Sequence, residues 1–291
     1  MPDRDADLNT LCIHQVCFGF ERGFAACVAA LERQGVGLTA VWHDKLAAIG
    51  ATAAARVLAD HGVVAVALCP GGLLTARDAR RWQAALEHNR RLLDDAATIG
   101  ARSLVTIAGG LEDGERDLRF ARDRALEGLA RLVPTARAAG VRLAIEPLHP
   151  MTCAFRGVLT TLAQANDWCD LLDAGDTVGI ALDSYATWWD PDLPAQIARA
   201  GPRLLHLHVA DWLPDTRDLR LDRGMPGDGV IDFDSFLALV AATGFTGPLE
   251  FEIFSARHWW QQPTDRIAAA CAACAGALMH RDLSPVDRRR N

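Results

Sequence analysis

The chain has 291 residues, 50% hydrophobic and 23% charged, with a net charge of −7. This is globular composition with length for a large core, and its acidity argues against a nucleic-acid partner, whose binders carry a basic stripe. No apolar run reaches about 18 residues, the membrane-spanning length, and MPDRDADLNT has neither a basic nor an apolar leader region, so a cytoplasmic protein with reduced cysteines is expected.

In chain order, β-rich apolar runs alternate with longer Ala/Leu/Arg stretches of helical period. The runs 11–18 (LCIHQVCF), 36–42 (VGLTAVW), 63–69 (VVAVALC) and 101–108 (ARSLVTIA) read as strands. Helical patterns follow them over 23–34, 46–61, 77–99 and 116–139. The second half repeats the scheme. Strands are expected over 141–147 (VRLAIEP), 178–183 (VGIALD), 203–209 (RLLHLHV) and 248–254 (PLEFEIF), with helices over 160–173, 193–200, 233–243 and 264–279. Gly35, Gly62, Gly100, Gly140 and Gly244 each stand between a helix and the next strand, as helix-ending glycines do.

Eight strand–helix units in strict alternation predict an α/β fold, a closed parallel (β/α)8 TIM barrel with helices outside. An open doubly wound sheet would alternate too, but no G-x-G-x-x-G follows a strand. No linker or low-complexity stretch divides the chain, so 1–291 reads as one domain with flexible ends over 1–10 and 282–291. The segment 211–231, rich in Asp, Arg and Gly, is a long loop on the face where such barrels carry chemistry. Cys271 and Cys274 form the one C-x-x-C, in IAAACAACAGAL, which reads as the packed face of a helix.

The carboxyl ends of strands five to eight carry Glu146, Asp183, His208 and Glu252. A single charged residue there is usually a turn former. Four in succession, on strands roughly 4.8 Å apart, are able to converge on one point. Three inward carboxylates would repel one another and raise their pKa values; a divalent cation resolves the conflict. Carboxylate oxygens with one imidazole suit Mn²⁺, Mg²⁺, Co²⁺ or Zn²⁺, with Mn²⁺ preferred. Side chains alternate along a strand, so His206 and Glu250 share the face of His208 and Glu252 one layer deeper.

Glu146 in IEPLHP, Asp183 in ALDSY, His208 in HLHVADW and Glu252 in EFEIF resemble the ligand pattern of the sugar phosphate isomerase/epimerase superfamily. His208 to Asp211, followed by GMPGDGVIDF, is similar to it as well, and the likeness spans nearly the whole chain. That superfamily contains ketose 3-epimerases, hydroxypyruvate isomerase and inosose dehydratase on a xylose isomerase-like barrel. The resemblance implies a metal held by the four residues that polarises a substrate carbonyl and stabilises an enediolate, with Glu146 and Glu252 as the acid/base pair. It implies a sugar-like small molecule as substrate and allows a homo-oligomer. Returning the proton to the opposite face gives epimerisation, moving it to the next carbon gives isomerisation, and expelling a β-hydroxyl gives dehydration.

Two departures weigh against a neutral-sugar 3-epimerase. Ala186 stands where many such enzymes have a substrate-contacting His, and Pro214 where they have an Arg. Further candidates for substrate contact are His14 in strand one, Trp42 and His43 after strand two, and His149 three residues after Glu146. Trp188, Asp211, Arg217 and Arg223 complete the set. The tryptophans after strands two, six, seven and eight suit sugar-ring stacking. Gly109–Gly110 after strand four is a weak candidate for phosphate binding through backbone N–H groups. A metal-dependent isomerase or epimerase is the leading reading. A lyase or dehydratase on an oxidised sugar, inosose or glycoside is the alternative, and a partner subunit that keeps the barrel without turnover is a third. A DNA-repair endonuclease would need more His ligands and a less acidic chain.

Overall fold

A computed structural model describes residues 10–112 and 114–279. The expected flexible ends fall, Thr10 aside, outside these residues. Eight strands close into a barrel: β1 (Leu11–Ile13), β2 (Leu38–Trp42), β3 (Val64–Gly72), β4 (Ser103–Ile107), β5 (Arg142–Glu146), β6 (Val178–Asp183), β7 (Leu204–Val209) and β10 (Leu249–Phe251). The order is β1-β10-β7-β6-β5-β4-β3-β2, every pair is parallel, and β1 joins both β2 and β10. Parallel strands covered on both faces need apolar side chains on both, hence the near-continuous runs in the sequence.

The outer layer comprises α1 (Phe24–Arg33), α2 (His43–Ile49), α3 (Ala51–Asp60), α4 (Ala79–Thr98), α5 (Leu118–Ala139), α6 (Leu162–Leu172), α7 (Ser184–Thr187), α8 (Leu193–Ala200), α9 (Phe233–Ala241) and α10 (Thr264–Met279). The expected helix 46–61 is two helices, because Gly50 turns the chain with φ 78°, a conformation a helix cannot contain. The expected strand 11–18 stops at Ile13, and residues 15–18 form a 3₁₀ turn whose first N–H groups are served by His14: its Nδ1 accepts from the Val16 N–H at 3.1 Å. Cys271 lies buried in α10, as the packed-face reading requires, and the eight cysteines are free thiols.

Small side chains dominate the barrel interior, among them Ala40, Ala67, Ala144 and Ala181. Period-two alternation puts Ala144 beneath Glu146 and Ala181 beneath Asp183, whereas His206 lies beneath His208 and Glu250 beneath Glu252. Alanines on two strands thus leave room for large polar groups from the other two. Among the described residues no helix is long and apolar enough to cross a membrane.

Candidate metal centre

Glu146 and Asp183 are the last residues of β5 and β6, His208 sits in β7, and Glu252 follows β10 by one residue. The register sets Asp183 and Glu250 level with His208 on either side. Glu146 and Glu252 line a cleft at the carboxyl end of the barrel, and His208 and Asp183 lie buried beside them, His208 against both glutamates and Asp183 joined to Glu252 through Arg223. His208 Nδ1 is 2.9 Å from Glu146 Oε1 and 3.7 Å from Glu252 Oε2. Donor atoms of Glu146, His208 and Glu252 lie within 4.8 Å of one another. Asp183 joins them through Arg223, whose Nη1 donates to Asp183 Oδ2 at 3.1 Å and to Glu252 Oε2 at 3.0 Å.

All four residues are almost fully buried. Burial, and next the neighbouring Glu146 carboxylate, push Glu252 up to about 8 against the pull of Arg223 and His208. Burial raises Asp183 as well, opposed first by Arg223. Burial by itself lowers His208, but Glu250 and Glu146 reverse this and leave the imidazole well above its usual value. The carboxylates therefore lack positive charge, although one guanidinium already bridges two of them. That is the donor chemistry a divalent cation satisfies: deprotonated oxygens and one neutral imidazole nitrogen. Either the Glu146–His208–Glu252 group or the deeper His206–His208–Glu250 group has the spacing to hold an ion.

Of the other predicted residues, Trp42, His149 and Arg223 line the cleft. His149 is fixed by an Nδ1 contact from the Met151 N–H at 3.2 Å and by the Trp212 ring at 4.9 Å. His14 lies beneath the cleft wall, fully buried, its Nε2 3.7 Å from Glu252 Oε1. Four further candidates for substrate contact stand away from the cleft lining. His43 stands behind Trp42, paired with Asp44 at 3.4 Å. Trp188 turns to a separate groove with Leu193, Val230 and Phe236. Arg217 is exposed on the loop, where its backbone N–H donates to Asp222. Asp211 is fully buried, and its carboxylate accepts the backbone N–H groups of Trp212, Gly227, Gly229 and Ile231 at 2.8–3.1 Å. It ties down the loop instead of facing the cleft. The loop carries a two-stranded hairpin, β8 (Asp211–Trp212) with β9 (Arg223–Gly224), which holds Arg223 over the site.

Gly109–Gly110 is a packing device. A Cβ on Gly110 would lie 2.4 Å from the Phe155 carbonyl carbon, Val158 N–H donates to Gly109 O, and Leu111 N–H donates to Ala154 O. The turn 154–157 covers the pair, so its backbone is not open to a phosphate. Arg156 and Arg220, both cleft-lining, were not among the predicted contacts. Nothing in a sequence window singles out a loop arginine whose partner is absent.

A closed parallel barrel with three carboxylates and an imidazole clustered at its carboxyl end places its polar residues on the face where such barrels carry their sites. The model for the xylose isomerase-like TIM barrel family matches residues 24–274, and the chain belongs to that family. Protein SMc04130 from Sinorhizobium meliloti 1021 has a crystal structure that superposes with a TM-score of 0.90 at 44% identity, covering 93% of this chain and 98% of that one. A 3-dehydroshikimate dehydratase of Pseudomonas aeruginosa is 32% identical over 140 residues, which are 44% of this chain and 20% of that enzyme's length. An inosose isomerase of Bacillus licheniformis is 22% identical over 67% of this chain and 69% of its own.

Proposed function

We propose that the protein is a divalent-metal-dependent enzyme that moves a proton next to the carbonyl of a sugar-like substrate, as an isomerase or epimerase. The observation that carries this reading is the cluster of Glu146, His208 and Glu252, with Asp183 tied to it through Arg223, at a cleft that Glu146 and Glu252 line. These four residues would hold the ion, Mn²⁺ first among Mn²⁺, Mg²⁺, Co²⁺ and Zn²⁺. Bound there, the ion would polarise the carbonyl and offset the negative charge that develops on its oxygen. Glu146 and Glu252 reach His208 Nδ1 from strands on either side of β7, and both line the cleft, so one would take the proton and the other return it. Arg223, pinned by both Asp183 and Glu252, presents its remaining N–H groups to substrate oxygens. Trp42 and Phe254 give an apolar wall against which a ring can stack.

A second reading, a dehydratase using the same base, is favoured by the 32% identity to the 3-dehydroshikimate dehydratase and by Ala186 in the cleft lining, where a polar sugar contact would be expected. The free thiols suit a reducing cytoplasm.

The test is hydrogen exchange. The Mn²⁺-loaded protein in D₂O is offered ketoses, hydroxypyruvate, inososes and 3-keto-glycosides, and lost C–H signals are followed by NMR. One position next to a carbonyl should exchange, and a chelator should stop it. Absence of exchange in every substrate, with Mn²⁺ demonstrably bound, rejects the proton-transfer reading. A product lighter by one water in mass spectrometry selects the dehydratase.

Glu250 offers a check on the ion itself. Its Oε1 is 3.5 Å from His208 Nε2, on the side of the ring away from Glu146, a charge contact without a hydrogen bond that favours a proton on Nε2 and leaves Nδ1 to the ion. Carboxylates in that place typically contribute 10–100-fold to metal affinity. Glu250→Gln is expected to weaken Mn²⁺ binding by about that factor, read by competition with a fluorescent chelator.

A further inference from the structure

The cleft holds guanidinium groups that its floor does not engage. Arg223 alone bridges the floor carboxylates, between Asp183 and Glu252. Arg156 and Arg220 line the same cleft. Among the described residues neither guanidinium has an acidic partner, in contrast to Arg33, Arg77, Arg199 and Arg257, which all pair with carboxylates. Arg220 is half-buried against the rings of Phe20 and Phe254, at 5.6 and 5.7 Å, and its Nε is buried without a hydrogen bond. Burial first, and then repulsion from Arg156 and Arg223, depress its affinity for its proton against a smaller pull from Glu252 and Asp218, neither of which forms an ion pair with it. A partly buried guanidinium with like charges around it costs stability unless something else supplies the counter-charge.

Both arginines are held in place by their backbones. The turn that carries Arg156 docks on Gly110, and its N–H donates to Thr152 O at 2.8 Å. Arg220 follows an Asp218 turn whose carboxylate accepts the N–H groups of Arg220 and Leu221 at 2.8 and 2.9 Å. Planar guanidinium forks at fixed positions recognise oxyanions in bidentate fashion. A glycine-rich backbone cradle, the usual phosphate site, is not on offer, since the Gly109–Gly110 backbone is covered by the Arg156 turn.

We infer that Arg156 and Arg220 form an oxyanion-binding wall and that the substrate is a sugar-like acid, its carboxylate held by them while its carbonyl faces Glu146 and Glu252. The assignment rests on the functional reading above for the position of the carbonyl, but not for the anion site. It also gives Ala186 a context: selectivity comes from charge on the opposite loops instead of a polar side chain after β6.

The test uses quinate, a cyclic polyhydroxy carboxylate, against neutral myo-inositol and against glucose 6-phosphate, by titration calorimetry on the Mn²⁺-loaded protein. Quinate should bind at least tenfold more tightly than myo-inositol. Arg156→Gln and Arg220→Gln should each weaken quinate binding about tenfold, the worth of one charge-assisted hydrogen bond. Myo-inositol binding and Mn²⁺ affinity should stay unchanged, and thermal unfolding of the ligand-free variants should occur at the wild-type temperature or above. Equal binding of quinate and myo-inositol, or a preference that survives both substitutions, overturns the proposal. Tighter binding of glucose 6-phosphate that is lost in the same variants overturns the carboxylate assignment. An arginine-dependent quinate preference in a protein that catalyses no exchange leaves the anion site standing and rejects the proton-transfer reading. The reverse result does the opposite.

Discussion

Glu252→Gln is expected to slow metal-dependent hydrogen exchange about 10²–10⁴-fold, the range removed with a positioned acid/base group, without loss of stability. Glu252 is buried among His14 at 3.7 Å, His208 at 3.7 Å and Arg223 at 3.0 Å, and faces the repulsion of Glu146. An amide keeps the shape and the acceptor for Arg223 but cannot carry the proton. Because it removes one of the mutually repelling carboxylates, thermal unfolding of the metal-free variant should occur at the wild-type temperature or above. A purely structural Glu252 would give the opposite pair of results, with near-normal exchange and a less stable protein. Exchange within tenfold of wild type would exclude Glu252 as acid or base. Glu146→Gln should behave alike in exchange; both variants remove a proposed ligand and should bind Mn²⁺ more weakly, so exchange is compared at saturating Mn²⁺, and the loss is larger for Glu146, whose Oε1 also contacts His208.

Asp211→Ala is expected to lower stability by about 3 kcal/mol or more, since a buried charge-assisted hydrogen bond is worth about 1.5–3 kcal/mol and several are lost together. The wild-type carboxylate gathers N–H groups from across the loop: Gly227 at 2.8 Å, Gly229 at 2.9 Å and Ile231 at 3.1 Å, besides Trp212 at 2.8 Å. Alanine leaves the buried Ile231 N–H without a partner and releases the more open N–H groups of Trp212, Gly227 and Gly229 to water, so the loop's closure is lost. The backbone has no slack with which to compensate, because even a Cβ on Gly229 would sit 2.2 Å from Trp212 O. Arg223 lies on this loop, so its bridge to Asp183 and Glu252 should fail too, and protease nicking should concentrate in 213–222. Mn²⁺ binding should persist in the folded fraction, because the ligands stand on barrel strands and not on the loop. Denaturant unfolding measures the first effect. A loss below about 1 kcal/mol together with lost substrate binding would reinstate Asp211 as a substrate contact.

The barrel was legible because alternating buried strands and amphipathic helices leave two distinct periods in the sequence. The helix glycines marked the boundaries, since residues with φ near 64–79° at Gly35, Gly62, Gly100, Gly140 and Gly244 favour a residue without a Cβ. The same rule explains the miss at 46–61: Gly50 breaks a stretch whose apolar spacing continues through it. Glu146, Asp183, His208 and Glu252 were legible because chemistry in such a barrel sits at strand ends, so position along the strand already implies convergence.

Loop residues had no such rule. Asp211, Arg217 and Arg223 lie in one polar segment, and composition gives each the same claim. The fold separates them: Asp211 gathers the loop's backbone, Arg217 faces solvent, and Arg223 points inward between two carboxylates. Arg156 and Arg220 come from loops 64 positions apart in sequence and share a cleft only after the barrel closes.

By itself the sequence determined the closed parallel barrel and the placing of Glu146, Asp183, His208 and Glu252 at strand ends, because both follow from local periods of two and 3.6 residues. The tertiary structure decided which loop side chains face that centre and which carry charge without a partner. Those depend on contacts between distant segments, such as the Arg156 turn docking on Gly110 or Asp211 drawing in Gly227 and Gly229, and no local pattern encodes them. At the tip of β6 the two meet: Asp183 is predictable as a donor from its place on the strand, but only the folded chain shows it bridged by Arg223 to Glu252.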